Sequence, residues 1–168
     1  MPIWLDRLAT AYGLQVLGFT AFVLVQVEWW APRGLRFFLR FPGTFAHELC
    51  HYLTALLTGA RPQRIDLIVR KQADGSYELG SVDFCPRWYN GAVVALAPFL
   101  LLGAIVLLVY QASAWPWHAQ LVAGFLEGSL WFGAWPSITD WHVAWRYPAL
   151  LLLALAGGCL WAWQSFFA

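Results

Sequence analysis

Thr44-Phe45-Ala46-His47-Glu48-Leu49-Cys50-His51-Tyr52-Leu53-Thr54-Ala55-Leu56-Leu57-Thr58-Gly59 reads as one helix with a start, a working face and a stop. Thr44 is a residue type that caps helix N-termini, and Gly59 stands where a left-handed residue closes a helix. His47 and His51 are four residues apart, so both imidazoles leave the helix on one side. This His-Glu-x-x-His spacing suits two corners of a tetrahedral zinc site, with Glu48 between them placed to take a proton from water. At 1.5 Å per residue the segment would be only about 22 Å long.

The surrounding chain is strongly apolar. Of 168 residues, 61% are hydrophobic, 11% are charged and twelve are tryptophan, against about 25% charged residues in an ordinary globular domain. The expectation is a membrane α-helical protein forming a single domain over residues 1–168, with about five transmembrane helices and a β-hairpin between the second and third. The spans read as Tyr12–Trp30, Thr44–Thr58, Tyr89–Tyr110, Trp117–Ser137 and Ala149–Phe167. Asp6 and Arg7 interrupt the first apolar run, unlike a cleaved signal peptide, so this segment is expected to remain as the first span. Glu28 near its end would reach the headgroup layer.

Arg33, Arg36 and Arg40 alternate with apolar residues as in an interfacial amphipathic piece, which Pro42-Gly43 is expected to break before Thr44 starts the next helix. From Arg61 to Arg87 the period changes to that of strands. Ile65, Leu67 and Val69 alternate with neighbours on the other face, Asp74-Gly75 marks a turn, and Tyr77–Phe84 returns. Pro98 should kink the third span. Seven of the ten Lys/Arg lie in the N-terminus, the hairpin and the loop near Arg146, which places the N-terminus and hairpin in the cytoplasm and the chain in the cell (inner) membrane. A net charge of +1 argues against nucleic acid as a partner. Cys50, Cys85 and Cys159 lack any CxxC spacing and read as small packing residues.

Two histidines do not complete a catalytic zinc site, which takes three protein ligands and leaves a fourth position open. The remaining candidates are Asp140, Glu127 and His142. Asp140 is favoured, because Pro136 frees the backbone at the end of the fourth span and lets a carboxylate turn back; a helix cap is the plainer role for the same residue. Glu127 lies about 20 Å away along an unbroken helix and is the runner-up. His142, among tryptophans, reads first as an interfacial side chain.

These residues resemble the site-2 protease family of intramembrane zinc metalloproteases: HExxH at the start of an apolar helix, a hairpin after it, and a later helix ending in a proline-containing motif with Asp. The pattern Pro136-Ser137-Ile138-Thr139-Asp140 is similar to compact, divergent members without a PDZ domain. The usual Asp-Gly appears here as Asp140-Trp141, and the usual Gly-Pro as Ala97-Pro98. The resemblance implies that His47, His51 and Asp140 bind Zn2+, that Glu48 is the catalytic base, and that Asn90 steadies substrate or oxyanion. It also implies transmembrane or membrane-associated protein substrates within the lipid bilayer. The hairpin edge could hold an extended substrate segment by strand addition. Two other classes fit the same motif: a noncatalytic zinc-binding membrane scaffold, and a membrane zinc hydrolase acting on a lipid or small amide.

Overall fold

The helix that carries the two histidines is longer than its motif. In the computed structural model, which describes residues 3–27, 32–66, 70–71, 77–78, 80–148, 152–153, 156–158, 161 and 163–165, α1 spans Ile3–Val27 and α2 runs without a break over Arg33–Leu57. The stop expected at Pro42-Gly43 does not occur, and Thr44 is an interior residue rather than a cap. Ser129 explains how α2 passes the proline. Its Oγ accepts a hydrogen bond from Gly43 N at 3.0 Å and donates to Leu39 O at 3.1 Å, so one hydroxyl serves a donor and an acceptor in the proline-containing turn. Gly43 is needed for that approach, since a β-carbon there would collide with the Ser129 carbonyl oxygen.

The end of α2 follows from local sequence. Gly59 has φ +71°, and the bonds Ala60 N→Ala55 O (2.8 Å) and Gly59 N→Leu56 O (3.3 Å) form a Schellman closure. Ala55 and Ala60 are both fully buried with Val94, against which Phe84 packs, supplying the apolar contact that accompanies this closure. The chain then enters β1 (Arg64–Asp66), β2 (Arg70–Lys71), β3 (Tyr77–Glu78) and β4 (Ser81–Asp83). β1 pairs antiparallel with β4, and β2 with β3. The hairpin expected between Arg61 and Arg87 is thus present as two short ladders; its Asp74-Gly75 turn lies outside the described residues.

The third apolar run is not one helix. It divides into α3 (Gly91–Ala95), a 3₁₀ turn (Ala97–Phe99) and α4 (Leu100–Ala112), with Pro98 in the 3₁₀ turn, because proline removes a backbone donor and crowds the preceding turn. Then come α5 (Trp117–Gly133) and α6 (Ile138–Arg146). Ser137 and Asp140 form a capping box at the start of α6. Arg146 occupies its last turn, where a cation complements the helix dipole, and Pro148 follows.

Over the described residues no helix is long and apolar enough to cross a membrane. This corrects the expectation of about five transmembrane helices and of an integral multi-pass protein of the cell (inner) membrane. For the third and fourth apolar runs the physical reason is that apolar composition and helix continuity part company. α5 has 17 residues and α4 has 13, lengths of about 26 and 20 Å against a hydrocarbon core of about 30 Å. α2 has 25 residues but carries Arg33, Arg36, Arg40, His47, Glu48 and His51 along its length. The expected fifth span, Ala149–Phe167, falls largely outside the described residues. Much of the apolar composition stands on the surface instead, as at Phe38, Leu57, Tyr110 and Trp145.

The chain divides into two compact units, Met1–His47 with Phe99–Trp135, and Glu48–Pro98 with Pro136–Ala168. In the first, Phe22 of α1 is fully buried and meets Phe125 of α5 edge-on, with ring centroids 4.9 Å apart. Arg40 donates to Gln26 Oε1 at 2.7 Å and lies over the Phe132 ring, which satisfies a cation at a half-buried position. In the second unit, α3 and α6 pack through Ala92, Ala95 and Ala144. The division passes through α2 after His47, and the helix itself is continuous there.

Candidate metal centre

One helical turn of α2 carries His47, Glu48 and His51. Each histidine has its Nδ1 engaged by a backbone carbonyl: His47 with Gly133 O at 2.7 Å, and His51 with Val94 O at 2.8 Å. A carbonyl can only accept, so each Nδ1 donates, and Nε2 is the ring nitrogen that would meet a metal. This is the outer-shell arrangement that fixes the tautomer and orientation of a metal-binding imidazole.

Asp140 sits in the first turn of α6 and uses its two oxygens differently. Oδ2 accepts from Ser137 N at 2.7 Å while Ser137 Oγ accepts from Asp140 N at 3.1 Å. Oδ1 faces His51 Nε2 at 3.2 Å. The helix-cap and ligand roles weighed for Asp140 are therefore compatible in one side chain. Ligand atoms of His47, His51 and Asp140 all lie within 4.8 Å of one another, and the group could hold a metal ion. Two bonds of about 2.0–2.1 Å at a tetrahedral angle put their donor atoms roughly 3.4 Å apart, close to the His51–Asp140 separation.

The chain matches no protein-family model, no curated protein and no solved structure.

Glu48 is buried at 6% exposure and His51 at 4%. A water-poor setting strengthens the pull between a carboxylate and a proton donor. Cys50, also on this turn, is half-buried, and burial pushes its thiol up from the ordinary range, which keeps it protonated and agrees with a packing role.

The other candidates lie elsewhere. Glu127 is buried within α5, and neither it nor His142 belongs to the group that could hold an ion among the described residues. Burial raises the Glu127 carboxyl above its usual range, and Oε1 has no hydrogen-bond partner among the described residues. His142 is exposed on α6. Asn90 is fully buried and committed to structure: Oδ1 accepts from Arg87 N at 2.7 Å, and Nδ2 donates to Thr58 O at 3.2 Å. With both ends of the amide engaged, it ties the segment before α3 to the end of α2, and the substrate-steadying role implied for it has no support in this geometry.

Sequence reasoning missed the groups that orient the two imidazoles. Gly133 O and Val94 O carry no side-chain signal and could be found only in three dimensions. The Ser137-x-x-Asp140 spacing was visible as a capping pattern, but not the simultaneous use of the second carboxylate oxygen.

Proposed function

We propose that this protein is a zinc-dependent hydrolase that cleaves peptide bonds, with His47, His51 and Asp140 as metal ligands and Glu48 as general base. The observation that carries the reading is Asp140 Oδ1 at 3.2 Å from His51 Nε2, in a group with His47 on the helix that also holds Glu48. Two imidazoles and one carboxylate are a donor set that zinc takes in hydrolytic sites while keeping one position open.

Zinc bound there supplies Lewis acidity toward a carbonyl oxygen and lowers the pKa of water to about 7. The protein's own residues do the rest. His47 and His51, held through Nδ1 by backbone carbonyls, present fixed Nε2 atoms. Asp140, held by Ser137, presents Oδ1. Glu48 takes the proton from the attacking water as its oxygen bonds to the scissile carbonyl carbon. It then delivers that proton to the amide nitrogen as the C–N bond breaks, so carboxylate and charge are restored at the end of the cycle.

The hairpin supports a polypeptide as substrate. Among the described residues each of β1 to β4 has one strand partner, and an unpaired strand edge can take an extended peptide by main-chain hydrogen bonds. The site chemistry is of the kind the site-2 protease resemblance implies.

The test is hydrolysis of a fluorogenic peptide library by purified, zinc-loaded protein and by the Glu48→Gln variant, with bound zinc measured on both. Cleavage by the parent chain, lost in the variant while zinc is retained, is the expected outcome. Equal cleavage by both would remove Glu48 as base, and bound zinc with no cleavage of any peptide would point to a structural metal instead.

A further inference from the structure

Gly80 is packed directly against the carboxylate on which the proposed reaction depends. A β-carbon built on Gly80 would lie 2.8 Å from Glu48 Cγ, 3.0 Å from Oε1 and 3.1 Å from Cδ, well inside the ordinary carbon contact of about 3.5–4.0 Å. Any residue but glycine would therefore have to displace the Glu48 side chain.

The backbone does not ask for glycine at this point. Among the described glycines the left-handed conformation occurs at Gly59, with φ +71°, and not at Gly80. Gly13, Gly34 and Gly103 have open space where a β-carbon would stand. At Gly80 the requirement is steric, and its source is Glu48.

Gly80 is also held in place from the helix that bears Glu48. It immediately precedes β4, whose register against β1 is Arg64↔Asp83, Ile65↔Val82 and Asp66↔Ser81. The root of that ladder is tied to the end of α2: Cys85 N donates to Ala60 O at 2.8 Å, and Ala60 N to Ala55 O at 2.8 Å. The hairpin therefore leaves the end of α2 and returns its backbone to the turn of α2 that carries the base.

We propose that Gly80 is a positioning residue for Glu48: the hairpin backbone at this point forms one wall of the carboxylate's site, restricts its side chain to the conformation seen here and keeps water from that side. The role rests on reading Glu48 as the general base. It does not depend on metal binding, since the three atoms nearest a β-carbon on Gly80 all belong to Glu48.

The experiment is a double-substitution cycle on the full chain with Gly80→Ala, Glu48→Ala and the pair. Glu48→Ala removes Cγ, Cδ and Oε1, the three atoms in conflict. Gly80→Ala alone should lower kcat at least tenfold with KM and bound zinc unchanged, and should lower Tm in the parent chain but by less than half as much in the Glu48→Ala chain. If Gly80→Ala alone fails to fold, recovery of folding in the pair is the same expected coupling, and no recovery overturns the proposal. Parent-like kcat, or equal Tm losses in both backgrounds, also overturns it. A parent chain that hydrolyses no peptide overturns the hydrolase reading instead, and the Tm comparison still decides whether Gly80 confines Glu48.

Discussion

Asp140 serves Ser137 with one carboxylate oxygen and His51 with the other: Oδ2 accepts from Ser137 N at 2.7 Å, and Oδ1 stands 3.2 Å from His51 Nε2. A helix N-cap and a ligand position are thereby joined through one side chain. Rotation of the carboxylate to suit a metal is limited by the cap, so the oxygen that meets the histidine is set before any ion arrives.

Ser137→Ala should therefore act on both. Loss of the cap should cost about 1 kcal/mol of stability, and loss of the restraint on Asp140 should weaken zinc binding by about 10–100-fold. Asp140→Asn keeps a side chain able to cap but removes the charge. It should retain most of the parent Tm in the absence of zinc while binding the ion more weakly than Ser137→Ala. Chelator competition together with thermal melts checks both statements, and zinc affinity unchanged in Ser137→Ala would separate cap from ligand.

Removing metal should lower Tm. A ligand that binds only the folded chain stabilises it by about 2.7 kcal/mol at a hundredfold excess over Kd. The zinc-dependent shift should vanish in His47→Ala and His51→Ala and persist in Glu48→Gln, because the base is not a ligand. Differential scanning fluorimetry with and without chelator makes the comparison.

Gly43→Ala should destabilise the unit containing α5 by about 1–3 kcal/mol, the usual cost of forcing a methyl group into an occupied space; the obstacle is the Ser129 carbonyl. Ser129→Ala should cost about 1–3 kcal/mol, by taking away the hydroxyl that serves Gly43 N and Leu39 O. Urea melts followed by circular dichroism provide the values. A neutral Ser129→Ala would show that α2 passes Pro42 unaided.

Glu127 predicts a pH dependence of opposite sign to the common carboxylate case. Burial raises its folded-state pKa above the unfolded value. Its neutral form therefore contributes stability that is fully present below the unfolded value and is lost as pH rises through the raised folded value. Glu127→Gln removes the ionisation, so the Tm difference between variant and parent should grow in the variant's favour across that window. Zinc binding should be the same in both. Melts from mildly acidic to neutral pH give the profile, and a difference that stays constant or reverses would contradict it.

Short-range features were legible from the chain order. The shared face of His47 and His51, the stop at Gly59, a distortion at Pro98 and the hairpin between Arg61 and Arg87 all depend on spacing of a few residues or on the chemistry of one residue type. Apolar runs misled in the other direction. Hydropathy averaged along a segment does not register that the third run is cut into α3, a 3₁₀ turn and α4, or that α2 extends back through Pro42 to Arg33.

Long-range contacts belonged to the folded chain alone. Ser129 is 86 residues from Gly43, and the carbonyl that orients His51 is 43 residues away. Local periodicity could mark which side chains are able to grip an ion, since helical geometry repeats every few residues. Which backbone oxygen would lock each ring, and which glycine would press on Glu48, depended on packing between distant segments, where a single missing β-carbon determines how near two backbones come.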